Sequence, residues 1–316
     1  MRKNAFLPTI LLAGLLAACG ASNTSTTATS PARSTVEAAM TAAAATEAPA
    51  AEATAEATAA ATTEASATAE ATTEASATAA AAPVADLKGR KVVVGTDASY
   101  PPFESVDQAT NEIVGFDIDL LTEVGKLINA DFEFQNASFD TIFTALQAKQ
   151  FDAVASASTI TDERKQIVDF SDPYIDVGQL VVVQAANTTV SSYTDLPGLD
   201  AVGVQTGTTG ETAALEDAKV EDAKLKRYQT IDLAFADLAN NAVDAVVADG
   251  PTVGNYTSQP QYAGKFKIVG EAFTTESYGV ALQKGDTELL GAINAALKVL
   301  KENGTIDQLR AKYNIK

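Results

Sequence analysis

The side chains best suited to chemistry in this sequence follow short apolar, β-branched runs. Asp97 and Tyr100 come just after Lys91–Gly95. Ser156, Ala157, Thr159 and then Arg164 come at and after the end of Phe151–Ser156. Gln205, Thr208 and Thr209 follow the run that begins at Ala201, and Asp249 closes Val243–Ala248. A guanidinium such as that of Arg164 offers a planar fork of donors that suits a carboxylate. Backbone amides at a helix start add further donors. Asp249 can meet an ammonium. Tyr100, stiffened by Pro101-Pro102, and Phe139 can sandwich a planar or apolar side chain. Together these groups complement a free α-amino acid. Each also has a plainer reading. Arg164 can pair with Asp162 or Asp169 on the surface, Asp249 can cap a helix before Pro251, and Phe139 sits at core spacing in a helix. Gln205–Gly210 is a glycine-rich turn that opens a helix, and its free amides form an anion nest. It lacks the Gly-Lys-Ser/Thr ending of a phosphate loop.

Composition removes competing chemistries. The 316 residues contain no histidine, no tryptophan and one cysteine. Histidine-dependent triads and His-bound zinc are therefore excluded, as are an internal disulfide and a Cys-rich metal site. No metal and no cofactor is called for. The net charge is −19, from 22 Lys+Arg against 41 Asp+Glu. Such a balance argues against nucleic acid as a partner, which needs clustered Lys and Arg.

The elements that must position these residues alternate. Strands are expected at Lys91–Gly95, Asp131–Gln135 and Phe151–Ser156. Helices fall between them, one over Asp117–Ile128 with Leu120, Leu121, Val124, Leu127 and Ile128 on its apolar face. Another is capped by Ser138 and carries Phe139, Ile142, Phe143 and Leu146. A second round follows. Its strands are Leu180–Gln184, Ala201–Gln205 and Val243–Ala248, and its helices are Glu211–Ala218 and Ile231–Asn240. Helices at Leu289–Leu300 and Ile306–Tyr313 close the chain. This pattern predicts βαβ units in mainly parallel sheets, an α/β fold with ligand groups at the carboxyl ends of strands. Residues 141–154 and 233–246 also match at a shift of 92, placing Phe143 on Phe235 and Asp152-Ala-Val154 on Asp244-Ala-Val246. That suggests two lobes of related build.

The first 85 residues read differently. Arg2 and Lys3 precede an apolar run, Phe6–Ala18, too short to span a bilayer, so 1–19 is expected to be a signal segment. Its Leu16-Ala17-Ala18-Cys19 ending resembles a bacterial lipobox, which would leave Cys19 as a lipid anchor. Residues 20–85 are almost wholly Ala, Thr, Ser and Glu, with a ten-residue repeat at Thr63–Thr72 and Thr73–Ala82. So little apolar surface predicts a disordered linker that tethers a folded module to the membrane.

Nine motifs, in order from about residue 90 to 315, resemble the bacterial extracellular solute-binding proteins of family 3. They are Gly95-Thr-Asp-Ala-Ser-Tyr-Pro-Pro-Phe-Glu104, Gly115-Phe-Asp-Ile-Asp-Leu120, Phe139-Asp140, Thr159-Ile-Thr-Asp-Glu-Arg164, Val168-Asp-Phe-Ser-Asp-Pro-Tyr174, Val202-Gly-Val-Gln-Thr-Gly-Thr-Thr209, Val243-Asp-Ala-Val-Val-Ala-Asp249, Tyr278-Gly279 and Asn303-Gly304-Thr305. The resemblance implies the periplasmic-binding-protein type II fold, two α/β lobes joined by a two-stranded hinge. Lobe 1 would be 86–178 and 273–316, and lobe 2 would be 179–272. Hinge crossovers would fall near Tyr174–Gly178 and Ala272–Glu276. It implies that Arg164 clamps the ligand carboxylate with the Thr159 and Thr209 amides. Asp249, the Thr159 hydroxyl and the Ala157 carbonyl would take the ammonium. Tyr100 and Phe139 would stack on the ligand side chain, Asp97 would meet its polar end, and Ser156 and Gln205 would tune specificity. Ala248 stands where some glutamine receptors carry histidine, and Gln205 where they carry lysine. The resemblance therefore leans to arginine or lysine, then glutamine or histidine. It implies a monomeric, lipid-anchored receptor on the extracytoplasmic face of the membrane that serves the permease subunits of an ABC importer. Alternatives are a sensing subunit for a membrane receptor, or a dehydratase-like enzyme on the same fold.

Overall fold

A computed structural model describes residues 84–315. The expected signal segment, Cys19 and the repeat lie outside the described residues. No helix among those described is long and apolar enough to cross a membrane.

The chain first lays down β1 (Arg90–Thr96), three short mutually paired strands β2 (Ser99–Tyr100), β3 (Glu104–Val106) and β4 (Ile113–Val114), then α1 (Phe116–Ile128), β5 (Ala130–Asn136), α2 (Phe139–Gln147), β6 (Ala153–Val154), α3 (Asp162–Ile167) and β7 (Asp169–Phe170). It crosses through β8 (Ile175–Val177) into β9 (Gln179–Gln184), β10 (Val202–Gln205), α4 (Thr209–Glu216), β11 (Leu225–Tyr228), α5 (Ile231–Ala239), β12 (Ala245–Asp249), α6 (Gly250–Ser258) and β13 (Phe266–Val269). It returns through β14 (Glu276–Tyr278) to β15 (Ala281–Leu282), α7 (Thr287–Glu302) and α8 (Thr305–Lys312).

Two five-stranded sheets result, in the orders β5-β1-β6-β15-β7 and β11-β10-β12-β9-β13. They have the same build. In each, three parallel strands come from consecutive βαβ units, one antiparallel strand follows, and an edge strand beyond it runs parallel to the first three. The sheets are mainly parallel, as expected, with four of five strands running one way and a single antiparallel strand inserted in each. Antiparallel β9 and β15 occupy equivalent places, and each begins within three residues of a crossing strand. The two crossing strands, β8 and β14, pair with each other antiparallel, Ser277 opposite Asp176. The return crossing thus lies at Glu276–Tyr278, at the far end of the expected stretch.

The internal match at 141–154 and 233–246 has a physical basis. Asp152 Oδ2 accepts the Val93 amide at 2.9 Å, and the Asp152 amide donates to the Val93 carbonyl at 2.8 Å. Asp244 Oδ2 accepts the Asp200 and Ala201 amides at 3.0 Å, and its own amide donates to the Ala201 carbonyl at 2.9 Å. In both lobes this aspartate staples the third parallel strand to the central one.

Helix faces follow their periodicity. On α1, Leu120, Leu121, Val124 and Ile128 are buried, each contributing roughly 1.5–3 kcal/mol. Leu127, expected on that face, lies at its edge and is 37% exposed. The expected strand Phe151–Ser156 shortens to Ala153–Val154. Beyond Val154 the chain turns out of the sheet, and Ala157 adopts a left-handed φ of 45°.

Candidate ligand-binding cleft

In both sheets the carboxyl ends of the parallel strands lead into one cavity, where ligands of open α/β sheets bind. It is narrow, with room for about one water, and its lining is Asp97, Tyr100, Phe139, Ser156, Ala157, Thr159, Arg164, Gln205, Thr208, Thr209 and Asp249. The eleven residues expected to contact a ligand thus line one cavity, whereas Cys19 lies outside the described residues.

Arg164 is aimed by its helix start. Thr161 caps α3 by accepting the Arg164 amide at 3.1 Å. The guanidinium donates to the Thr159 carbonyl at 2.8 Å and to the Gly207 carbonyl, on the other lobe, at 3.0 Å. It lies over the Phe143 ring at 4.7 Å and the Phe139 ring at 5.3 Å. The surface ion pair is not what forms: Asp162 pairs with Lys165 and Asp169 with Lys284. Burial pushes the Arg164 pKa down to about 10, which leaves a cation at neutral pH. Two of its five N–H groups are committed to these carbonyls, so three face elsewhere.

Asp249 ends β12 and occupies the N-cap position of α6, yet its side chain makes no capping bond. Instead it accepts the Tyr100 hydroxyl at 2.5 Å and the Gln179 amide at 3.0 Å. Burial first, and the nearby Glu276 carboxylate second, raise its pKa to about 7. Asp97 accepts Gln205 Nε2 from the other lobe at 2.6 Å and the Ser99 hydroxyl at 2.7 Å, and burial raises its pKa. The lining therefore carries a cation and Asp97 on one lobe and Asp249 on the other. Once the bonds between the walls open, these groups have the charges that complement a zwitterion.

Phe139 serves two purposes. It is buried with Ile142 and Leu146 in a small core and also lines the cavity. The turn Gln205–Gly210 differs from the expected open nest. Gly207, at φ 77°, gives its amide to Glu211 Oε2 at 2.8 Å, and the Thr206 amide bonds the Tyr228 carbonyl at 2.9 Å. Thr208 caps α4 by accepting the Glu211 amide, and its hydroxyl donates to the Gln205 carbonyl. An internal carboxylate thus takes part of the anion-binding capacity. The amides of Thr209 and Gly210 in the first turn of α4 are the ones left for a ligand.

Several residues of the cleft escaped sequence reasoning. Glu276, first in β14, accepts the Thr159 hydroxyl at 2.8 Å, Gln179 Nε2 at 3.1 Å and the Thr274 hydroxyl at 2.7 Å. Gln179, first in β9, is fully buried and also reaches Thr209. Its signal was a polar residue opening the apolar run Gln179–Gln184 directly after Gly178. Glu104 and Asp117, both buried below Ser156 and Ala157, belong here as well.

Two α/β lobes, a paired-strand hinge and a polar cavity between the strand ends define a solute-binding receptor of the periplasmic-binding-protein type II fold. The model of one family, bacterial extracellular solute-binding proteins, family 3, matches residues 92–316, and the chain belongs to that family. Among its relatives, a probable histidine-binding protein of Neisseria gonorrhoeae is 38% identical over 232 residues, which is 73% of this chain and 85% of that one. An ancestral arginine-binding protein bound to arginine superposes with TM-score 0.66 and 41% identity, covering 72% of this chain and 99% of that one; the same description exists bound to glutamine. An ancestral amino acid-binding protein described as a precursor of cyclohexadienyl dehydratase gives TM-score 0.65 at 40% identity, covering 71% and 95%.

Proposed function

We propose that this protein captures a free polar amino acid outside the cytoplasm and passes it to the permease subunits of an ABC importer. Arginine or lysine is the first choice of ligand, and glutamine or histidine the second. The observation that carries the reading is the pair Arg164 and Asp249 on the lining of one cavity. Arg164 takes the α-carboxylate with the amides of Thr159 and Thr209. Asp249 takes the α-ammonium, with the Ala157 carbonyl and the Thr159 hydroxyl, once that hydroxyl turns from Glu276. Tyr100 and Phe139 flank the ligand side chain, Asp97 meets its cationic end, and Ser156, Gln205 and Thr208 shape the remainder. The basic preference draws support from Asp97 and from relatives described as arginine-binding and histidine-binding.

The lobes of this reading are 86–178 with 273–316, and 179–272. The signal segment is 1–19, Cys19 carries the lipid, and 20–85 is the tether of a monomer on the extracytoplasmic face of the membrane. The protein acts by binding, not catalysis. In its favour, the sequence has no histidine to act as base, and the three relatives above are described as binding proteins.

A thermal-shift screen of the twenty amino acids and common polyamines tests the reading. A ligand at a hundred times its Kd should add about 2.7 kcal/mol of stability, with arginine or lysine giving the largest shift. If no amino acid moves the midpoint, the reading fails. Chemical change of a ligand on incubation would instead favour the enzyme alternative.

A further inference from the structure

Beneath the cavity lie two carboxyl groups with no assigned task. Glu104, on β3, and Asp117, in the first turn of α1, are both fully buried, and the fold sets them side by side: the Asp117 amide donates to the Phe103 carbonyl at 3.1 Å, and the two side chains hold the consecutive residues Ser156 and Ala157. Asp117 Oδ2 accepts the Ala157 amide and the Tyr174 hydroxyl, each at 2.9 Å. Glu104 Oε1 receives only the Ser156 hydroxyl, at 3.4 Å. The remaining oxygens, Glu104 Oε2 and Asp117 Oδ1, are buried and have no N–H or O–H pointed at them. No Lys or Arg forms an ion pair with either group among the described residues.

Two adjacent buried carboxylates cannot both stay ionised, and two buried acceptors facing each other leave both unsatisfied. One proton between them removes both costs. It belongs on Glu104, because Asp117 already has two strong donors that favour its anion. We propose that Glu104 is a neutral carboxylic acid at physiological pH, that it donates its proton to Asp117, and that the pair is the positioning element for the Ser156–Ala157 turn on the cavity wall. The proposal rests on the reading of that cavity as the ligand site.

The pair holds the turn from two sides. Ala157 keeps a left-handed φ of 45°, uncommon for a residue with a Cβ, and its amide hangs on Asp117. Ser156 donates to Glu104 while its oxygen accepts the Asp97 amide at 2.9 Å. The same Asp117 oxygen holds Tyr174, the residue directly before β8, so the turn and the hinge share one anchor. The titratable groups around the pair are Asp97 after β1, Tyr174 before β8, and Tyr278 on β14, whose ring lies 6.3 Å from that of Tyr174. Burial, then the charges of Asp117 and Asp97, hold Glu104 well above the usual carboxylate range. Burial raises Asp117 to about 6, and Tyr174 stays a phenol. The arrangement therefore exists from about pH 6 upward and is lost as pH rises through the folded-state pKa of Glu104.

The full chain and two variants test this. Glu104→Gln keeps a donor toward Asp117, while Glu104→Ala removes it. The infrared spectrum at pH 8 should show a protonated-carboxyl band in wild type that is missing in Glu104→Gln. Exchange of the Ala157 amide should be slow in wild type and Glu104→Gln, and about tenfold faster in Glu104→Ala. L-Arginine affinity should fall about tenfold in Glu104→Ala and recover in Glu104→Gln, which should also lack the alkaline loss of affinity expected of wild type. If Glu104→Ala does not fold, the band and the alkaline limb in Glu104→Gln decide alone. A wild-type spectrum with no Glu104-dependent band, or an Ala157 amide equally protected without Glu104, overturns the proposal. Failure of wild type to bind any amino acid overturns the receptor reading instead, since the infrared and exchange results do not involve a ligand.

Discussion

The Tyr100 hydroxyl donates to Asp249 at 2.5 Å across 149 positions of sequence, from one lobe to the other. Its companions include Gln205 to Asp97 at 2.6 Å and Arg164 to the Gly207 carbonyl at 3.0 Å. Each spans the lobes with a group that the proposed ligand also needs. Ligand entry is then an exchange of bonds, and closure is favoured only by the difference between the two sets.

Asp249 makes this exchange pH-dependent. With a pKa near 7 it is about half protonated at neutral pH, whereas an ammonium needs the anion. Affinity should rise between pH 5 and pH 8, and binding at pH 7 should release roughly half a proton. Calorimetry in buffers of different ionisation enthalpy measures that release, and Asp249→Asn should abolish it. The stability effect has the opposite sense. A carboxyl whose folded pKa exceeds its ordinary 3.8 contributes fully below about pH 4 and loses its contribution as pH rises through 7. The ligand-free unfolding midpoint should therefore fall from pH 5 to pH 8, and fall less in Asp249→Asn. Asp117, raised to about 6, adds to the slope in the same direction.

Arg164 should resist replacement. Arg164→Ala should weaken amino-acid binding at least about thirtyfold, because a buried carboxylate loses its partner. Arg164→Lys should recover little, since an ammonium lacks the fork. Phe143 supports the guanidinium from below at 4.7 Å. Phe143→Leu should cost about threefold in affinity, the scale of an exposed to half-buried cation–π contact. Wild-type affinity in Phe143→Leu would show that the ring is merely adjacent.

Gln205→Ala deletes a cross-lobe bond without touching the Arg164–Asp249 pair. In solution scattering the ligand-free variant should have a larger radius of gyration than ligand-free wild type, and a saturating amino acid should bring both to the same compact value. Identical profiles in all four samples would mean that the lobes do not move.

Gly178 lies where the chain enters the second lobe. A Cβ there would sit 2.4 Å from the Thr274 carbonyl oxygen, so the paired crossing cannot keep its spacing. Gly178→Ala should destabilise the protein by about 1–3 kcal/mol and lower affinity as well, read by chemical denaturation and calorimetry on the same sample.

Much of this site was legible in the sequence because it is local. Asp97, Ser156, Gln205 and Asp249 each follow a strand that its β-branched run gives away, and parallel strands put such residues at one end. The matched pair Asp152 and Asp244 was legible too, since the same staple is used twice. Gln179 and Glu276 were not. They are 97 positions apart, and only the pairing of β8 with β14 joins them. The single antiparallel strand in each sheet was not legible for the same reason: β9 and β15 are delivered by the crossings, not by a neighbouring βαβ unit. Glu104 and Asp117 fall within two of the family motifs, but nothing in their spacing signals a shared proton.

The pairing of β8 with β14 also bears on how such receptors could be recombined. The chain departs for its second lobe and comes back at adjacent points on one ribbon, so everything between is a single continuous cassette. Asp249 and Gln205 travel with that cassette; Arg164, Tyr100 and Asp97 stay behind. A graft with its two junctions on that ribbon would set one protein's second lobe against another's first without cutting either sheet.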